Sequence, residues 1–406
     1  MRFVTYNKTR FSRRLKQIIG SKHIKQKSVL AFKELIETDP EVYMLFSDMF
    51  SEPPADSSDN PIKNYMDMLR KMDAIIGAAP KFQYNSDDDD DYQDPAKPFG
   101  NILVYVVATP SGSKAFISDK VNKCLRDILR TWTKFLDSPQ SKLVLNKKDG
   151  WLSPEALKRM PGFMDKFPCD KEDEYCGYKS WNDFFSRKFK PNVRPIANPD
   201  DPYTVVAACE ASPYYISKNP QLRDKFWIKS QPYSLQQMLN NDPLSETFVG
   251  GTVFQAFLSS RYYHRWHAPV GGKIKRAFIK EAAFYADALR AGFDLTVGHL
   301  SQRYKSHVNT RAIILIDTGL EKIGTVAFIA IGMSEISSCL IEVKEGQTVK
   351  KGDQLGKFQY GGSTYCLLFQ KGVKVKFADE SLPADSANWS PCHKQLVRSK
   401  IATIEH

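Results

Sequence analysis

The sequence predicts an α+β fold: a helical N-terminal region over a mostly antiparallel β catalytic domain with hammerhead-like hairpins. Two patterns and one composition carry this expectation. Between residues 28 and 136 apolar side chains recur at steps of three and four, the helical period. After residue 200 short Val/Ile/Phe/Tyr-rich runs alternate with Gly, Pro and Asn turns, the texture of antiparallel strands. The 406 residues are 42% hydrophobic and 26% charged, which excludes wholesale disorder and collagen-like repeats and leaves enough chain for two or three domains.

The elements follow in order. The net charge of +12 maps mostly to one place, because residues 1–28 hold nine Lys/Arg and no acid. A basic tail, 1–27, is therefore expected, either solvated or serving as a membrane-surface or targeting segment. No nucleic-acid recognition module accompanies the charge, so no nucleic acid is expected as partner. A helical domain, 28–145, follows. Residues 28–50 read as helix broken near Asp39-Pro40, residues 62–78 as another, and 113–136 as the clearest. In the last, Ile117, Val121, Leu125, Ile128, Trp132 and Phe135 form one stripe. The acidic run Asp87–Asp91 lacks the spaced ligands and glycine of a calcium loop and reads as a solvated loop.

The remaining residues, 146–406, form the β domain, with strands expected at 203–209, 252–258, 271–279, 311–317, 323–332, 339–343 and 354–360. No apolar run reaches the ~18 residues of a membrane helix. The longest, Ile102–Thr109 and Gly324–Met333, read as buried strands. The seven cysteines are scattered without a CxxC pair, which argues against a disulfide framework and a zinc ribbon. Residues Ile341–Gly356 place glycines at turn positions between Val and Leu. They resemble the hammerhead hairpins of biotinyl/lipoyl domains, with Ala268–Ile274 as the opposing pair and no modifiable lysine motif.

Three segments carry chemistry. In Tyr263-His264-Arg265-Trp266-His267-Ala268-Pro269 two of only seven histidines stand three apart. Positions i and i+3 of a strand face opposite ways, but at a bent strand end both reach one pocket. Alone, the pair reads equally as structural. His299, His307 and His393 fall in no ligand-like pattern, so no metal is expected. In Gly361-Gly362-Ser363-Thr364 two glycines free the backbone before a hydroxyl. This is neither a GxSxG elbow nor a phosphate-binding loop. In Phe184-Phe185-Ser186-Arg187-Lys188-Phe189-Lys190-Pro191-Asn192-Val193-Arg194-Pro195 an aromatic pair precedes a rigid cationic edge, which reads equally as a helix end and linker.

Taken together, in this order, these segments resemble the phosphatidylserine decarboxylase family of pyruvoyl enzymes over roughly residues 145–400. Gly150-Trp151-Leu152, Ala207-Ala208-Cys209-Glu210, Leu239–Pro243 and Ile331–Ser337 resemble the soluble fungal branch that includes L-tryptophan decarboxylases. The resemblance implies self-processing. Ser363 Oγ attacks the Gly362 carbonyl, the ester eliminates, and the chain breaks between Gly362 and Ser363 to leave a pyruvoyl group derived from Ser363. His267 is implied as the base, with Glu210 as the orienting carboxylate where most members have Asp, and His264 is the candidate donor that reprotonates Cα. The pyruvoyl cofactor would form a Schiff base with the substrate amine and take up the electrons left by CO2, the role pyridoxal phosphate plays elsewhere; no pyridoxal phosphate is expected. Arg187 and Arg194 are open between substrate binding and structural pairing.

The implied activity is decarboxylation of a free, aromatic, L-tryptophan-like amino acid by a cytoplasmic enzyme whose cleaved chains stay associated. The alternative is phosphatidylserine decarboxylation in phospholipid biosynthesis. A peripheral membrane contact through the basic N-terminus, or a mitochondrial location, would accompany it. A non-catalytic binding protein is the reading from a different class.

Overall fold

Helix starts in the N-terminal region are set by Asp, Asn, Ser and Pro. Helix α1 (Lys27–Thr38) stops at Asp39, whose carboxylate accepts from the Glu41 and Val42 amides and caps α2 (Pro40–Asp48). Asn64 caps α3 (Tyr65–Ile76) in the same way. Short helices α4 (Pro98–Leu103) and α5 (Pro110–Ala115) lead into the long α6 (Asp119–Leu136). The computed structural model describes residues 23–52, 62–82, 98–224, 233–259, 263–287, 301–336, 338–359, 363–383 and 395–405. Most of the basic tail, the acidic run, His299 and His393 lie outside the described residues.

Two expectations change here. Val121, Leu125, Ile128 and Trp132 are buried as the stripe predicts, but Ile117 is 48% exposed, because α6 begins only after Ser118. Ile102–Thr109 is buried without being a strand. Its amides bond three and four residues back, as in Val104 to Gly100 and Val107 to Leu103, and proline opens the helices on either side. Burial in the helical layer overrides the β preference of its Val and Tyr side chains.

Three further short helices, α7 (Pro154–Lys158), α8 (Phe163–Lys166) and α9 (Trp181–Phe185), pack a knot of aromatic rings. Trp151, Phe163, Trp181 and Phe184 meet with centroids 5.1–6.3 Å apart. This apolar cluster also takes in Tyr263, Phe284 and Tyr285, so the helical layer and the β half share packing. Cys169 and Cys176 form a disulfide across a tight loop, a pairing that cysteine spacing alone argued against. The reason lies in the fold: Cys176 takes a left-handed backbone (φ 56°) that turns the chain back on itself.

The β half is built from β1 (Thr204–Val206), β2 (Ser212–Lys218), β3 (Thr252–Leu258), β4 (Arg265–His267), β5 (Gly272–Lys280) and β6 (Arg311–Asp317). It continues with β7 (Thr325–Gly332), β8 (Ser338–Ile341), β9 (Thr348–Val349), β10 (Gln354–Gln359), β11 (Ser363–Phe369), β12 (Val375–Phe377) and β13 (Lys400–Ile404). A seven-stranded antiparallel sheet has the order β2-β3-β11-β7-β6-β5-β9, flanked by three-stranded sheets β1-β13-β12 and β4-β10-β8. Its central strands are apolar on both faces because both are covered. One face packs Phe254, Phe328 and Tyr365 against Trp266 and Val205. The other packs Val253, Ile329 and Leu368 against α10 (Leu235–Met238), beside which lies α11 (Gln302–Val308). In the 341–356 segment β9 pairs with β5 and β10 with β8.

The connections between sheets position the site. At one end of the large sheet Ser363 lies between Leu258 and Gly332 on its two neighbours. From there the same three chains pass to the small sheet, where Gln359 pairs with Ser338 and the Phe358 amide donates to the His264 carbonyl. Three crossovers therefore join the large sheet to the small one: β3 to β4, β10 to β11 and β7 to β8.

Candidate active site

The histidine motif, the glycine-serine motif and the Ile331–Ser337 motif lie at these crossovers. The β10–β11 crossover carries Gly361 and Gly362, which lie outside the described residues, and delivers Ser363 as the first residue of β11. Ser363 is fully buried, and its Oγ has no hydrogen-bond partner among the described residues. An unsatisfied buried hydroxyl costs about 1–3 kcal/mol, so its retention calls for a role. The next residue is fully engaged. Thr364 Oγ1 donates to the Ala256 carbonyl at 2.9 Å and accepts from Gln255 Nε2 at 3.1 Å. Gln255 Oε1 in turn accepts from Tyr233 at 2.6 Å.

The β3–β4 crossover ends in the histidine motif. His264 is fully buried, its ring stacked on Phe185 with centroids 4.2 Å apart. His267, on β4, is held at both ring nitrogens. Nδ1 lies 2.9 Å from the Gly352 carbonyl, and since a carbonyl only accepts, Nδ1 carries the hydrogen. Nε2 is then an acceptor, and the Tyr263 hydroxyl, 2.9 Å away, donates to it. Gly352 can present its carbonyl this way because its backbone is left-handed (φ +83°), and a Cβ there would lie 2.6 Å from the Ile196 side chain. The Arg398 guanidinium, 3.2 Å from Nδ1, acts through its charge. Burial first, then Arg398, pushes the His267 imidazole down to about 4. It is a neutral base at physiological pH.

Glu210 is buried and binds Arg194, with Nε donating to Oε1 at 2.5 Å. It stands on the segment beside His267, whose amide donates to the Ala208 carbonyl. Ser363, His264, His267 and Glu210 thus all lie buried around the same small sheet and its crossovers. The hydrogen bonds that hold the His267 ring come from Gly352 and Tyr263.

The 184–195 segment supports the histidine motif from outside. Phe185 backs His264, Phe189 stacks on Tyr263 at 4.3 Å, and the Ser186 carbonyl accepts from Arg265 Nε at 2.7 Å. Arg187 is enclosed by Phe163, Phe167 and Phe184 at 4.5–5.3 Å. Arg194 lies 4.7 Å over Phe189 while bound to Glu210. Both arginines therefore serve structural pairing.

The β7–β8 crossover carries Ile331–Ser337. Ser334 adopts a left-handed backbone (φ 57°), and the buried Glu335 accepts from the Gly100 amide at 2.8 Å, tying the helical layer to the site. Tyr263, Gly352, Arg398 and Glu335 were not assigned roles from the sequence. Tyr263 and Glu335 stood within motifs already singled out. Gly352 stood among the turn glycines of the 341–356 segment, and Arg398 carried no local signal.

Among the described residues no group of three or more potential metal ligands comes together, and no helix is long and apolar enough to cross a membrane. Two family models, both described as phosphatidylserine decarboxylase, match residues 181–384 and 26–160. Decarboxylase iboD of Amanita muscaria is 35% identical over 332 residues, covering 76% of this chain and 94% of the relative. L-tryptophan decarboxylase of Psilocybe cubensis is 33% identical over 372 residues, covering 86% and 81%. Phosphatidylserine decarboxylase proenzyme 3 of Schizosaccharomyces pombe is 30% identical over 257 residues, covering 63% of this chain and 24% of the relative.

Proposed function

The chain belongs to the phosphatidylserine decarboxylase family and is a decarboxylase, and from this premise we propose that it cuts itself between Gly362 and Ser363 and then decarboxylates a free aromatic amino acid resembling L-tryptophan. One observation carries the reading: Ser363 Oγ is buried, without a partner among the described residues, directly after two glycines and beside the histidine crossover.

The roles follow from the geometry. A serine hydroxyl attacks only when a base takes its proton. His267 is neutral, and the Gly352 carbonyl holds it in the tautomer that leaves Nε2 without hydrogen. The Tyr263 hydroxyl occupies that nitrogen, so for His267 to act as the base Tyr263 must either give way or relay the proton. Glu210, bonded to Arg194, keeps negative charge close to the cationic edge. A pyruvoyl group derived from Ser363 supplies the electron sink for loss of CO2. His264, buried against Phe185, is the donor that this reading assigns to return a proton to the substrate carbon.

The free amino acid is favoured over the lipid by the share of this chain that aligns: 86% with the Psilocybe cubensis L-tryptophan decarboxylase, at 33% identity, against 63% with the yeast phosphatidylserine decarboxylase proenzyme, at 30%. A cytoplasmic location, with the basic N-terminal segment available to anionic surfaces, belongs to this reading.

The test has two parts. Intact mass spectrometry of purified protein should show the fragment 363–406 with a ketone at its N-terminus, and borohydride with an added amine should label that fragment. CO2 release should then be compared for L-tryptophan and phosphatidylserine vesicles. Turnover of the lipid alone would reverse the substrate assignment. An uncut, unlabelled chain would leave a non-catalytic binding protein.

A further inference from the structure

We propose that the cleft between α6 and strands β5 and β8 is the substrate pocket, and that it takes a free amino acid with a flat apolar side chain. This rests on the decarboxylase reading above and names the place where its substrate sits.

Three observations converge. The first is position. The cleft is a cavity of about 580 Å³ whose lining includes Gln359, Ser338 and Thr310. Gln359 lies four residues before Ser363, and Ser338 is its register partner. The Thr310 carbonyl accepts from the Gly332 amide, and Gly332 pairs with Ser363. The back wall of the cavity is therefore formed by residues next to those that pair with Ser363.

The second is chemistry. Ile279, Phe284 and Leu340 line the cavity, and Ile279 and Leu340 are 40% and 38% exposed, unusual for large apolar side chains on adjoining strands. They offer a surface for an aromatic ring. Opposite them α6 presents Arg126 and Arg130, both held by Glu281, at 3.2 and 3.1 Å. The volume lies in the range, roughly 300–1,000 Å³, that encloses small ligands.

The third is an unsatisfied donor. Arg126 Nε is buried at the cavity wall with no hydrogen-bond partner among the described residues, although the same guanidinium binds Glu281 through Nη1. A free donor next to a paired one suits a carboxylate that is gripped on binding. In this arrangement the ring lies on Ile279, Phe284 and Leu340 and the amine points toward residue 363. The helical layer, which lines one side of the cavity, selects the substrate.

The experiment separates binding from catalysis. Calorimetry of L-tryptophan binding to full-length Ser363→Ala protein needs no self-cleavage. Leu340→Trp and Thr133→Trp, at partly exposed positions on opposite walls, should each weaken binding at least tenfold, and Arg126→Gln by a similar factor. In chains that retain Ser363, the same substitutions should raise KM while leaving the 363–406 fragment formed as in the unsubstituted chain. No binding, or binding that all three substitutions leave unchanged, overturns the pocket. The proposed function is judged separately, by fragment formation and CO2 release in the unsubstituted chain.

Discussion

His267 is a buried imidazole whose two nitrogens are both engaged, and in the proposed self-processing its behaviour decides the pH dependence. Its folded value, about 4, lies below the ordinary histidine value. The base form is therefore already complete near neutrality. Cleavage measured by gel after pH jumps should hold constant from about pH 8 to 5 and fall below that. A profile that breaks near 6.5 would mean that a solvent-exposed histidine is the base. Tyr263→Phe removes the hydroxyl from Nε2 while keeping the stacking on Phe189. It should slow cleavage by tenfold or more with little change in melting temperature. At Glu210 the expected effect is on folding. Arg194→Ala breaks the ion pair of a buried carboxylate and should lower stability by about 3 kcal/mol in denaturant unfolding.

At the scale of elements, the small sheet β4-β10-β8 is held close by one glycine. A Cβ on Gly356 would lie 2.2 Å from the Leu340 carbonyl and 2.7 Å from the Trp266 ring. Gly356→Ala should push β10 off both neighbours and cost about 3 kcal/mol, read as a lower urea midpoint. It should also slow the proposed self-cleavage, because β10 ends four residues before Ser363. The strand runs at 252–258, 311–317 and 323–332 were legible because their apolar content matches a sheet covered on both faces. Strand β11 was not foreseen, because Gly361-Gly362-Ser363-Thr364 reads as a turn. Only pairing with β3 and β7 makes Ser363 and Thr364 strand residues.

For the whole molecule, β11 is an interior strand of the seven-stranded sheet, paired on both sides, and β13 is the middle strand of a three-stranded one. Both belong to the segment after Ser363, and so does Arg398 beside His267. A cut before Ser363 leaves both ladders intact. The two fragments should co-elute in native gel filtration and separate only in denaturant. Acid stability follows from burial of neutral histidines. Burial and nearby arginines hold His267 near 4 and His307 near 3, and in the unfolded chain both return to about 6.5. Between these values the unfolded state binds more protons, so stability is full above about pH 6.5 and declines as pH falls toward 4. His267 alone accounts for about 3 kcal/mol of that loss. Thermal melts from pH 7 to 4 should show it, and His307→Gln should flatten the curve.

The sequence by itself determined the fold class, most of the helices and strands, and the residue types the chemistry needs, because periodicity and motif composition are local properties. Tertiary structure decided which of those residues meet. It placed Arg187 in an aromatic cage and Arg194 on Glu210, gave His267 its tautomer through the carbonyl of a distant glycine, and brought a C-terminal arginine against the same ring. Those contacts join positions up to 131 residues apart, and chain closure over such distances is governed by packing of the whole core, which no short stretch of sequence encodes.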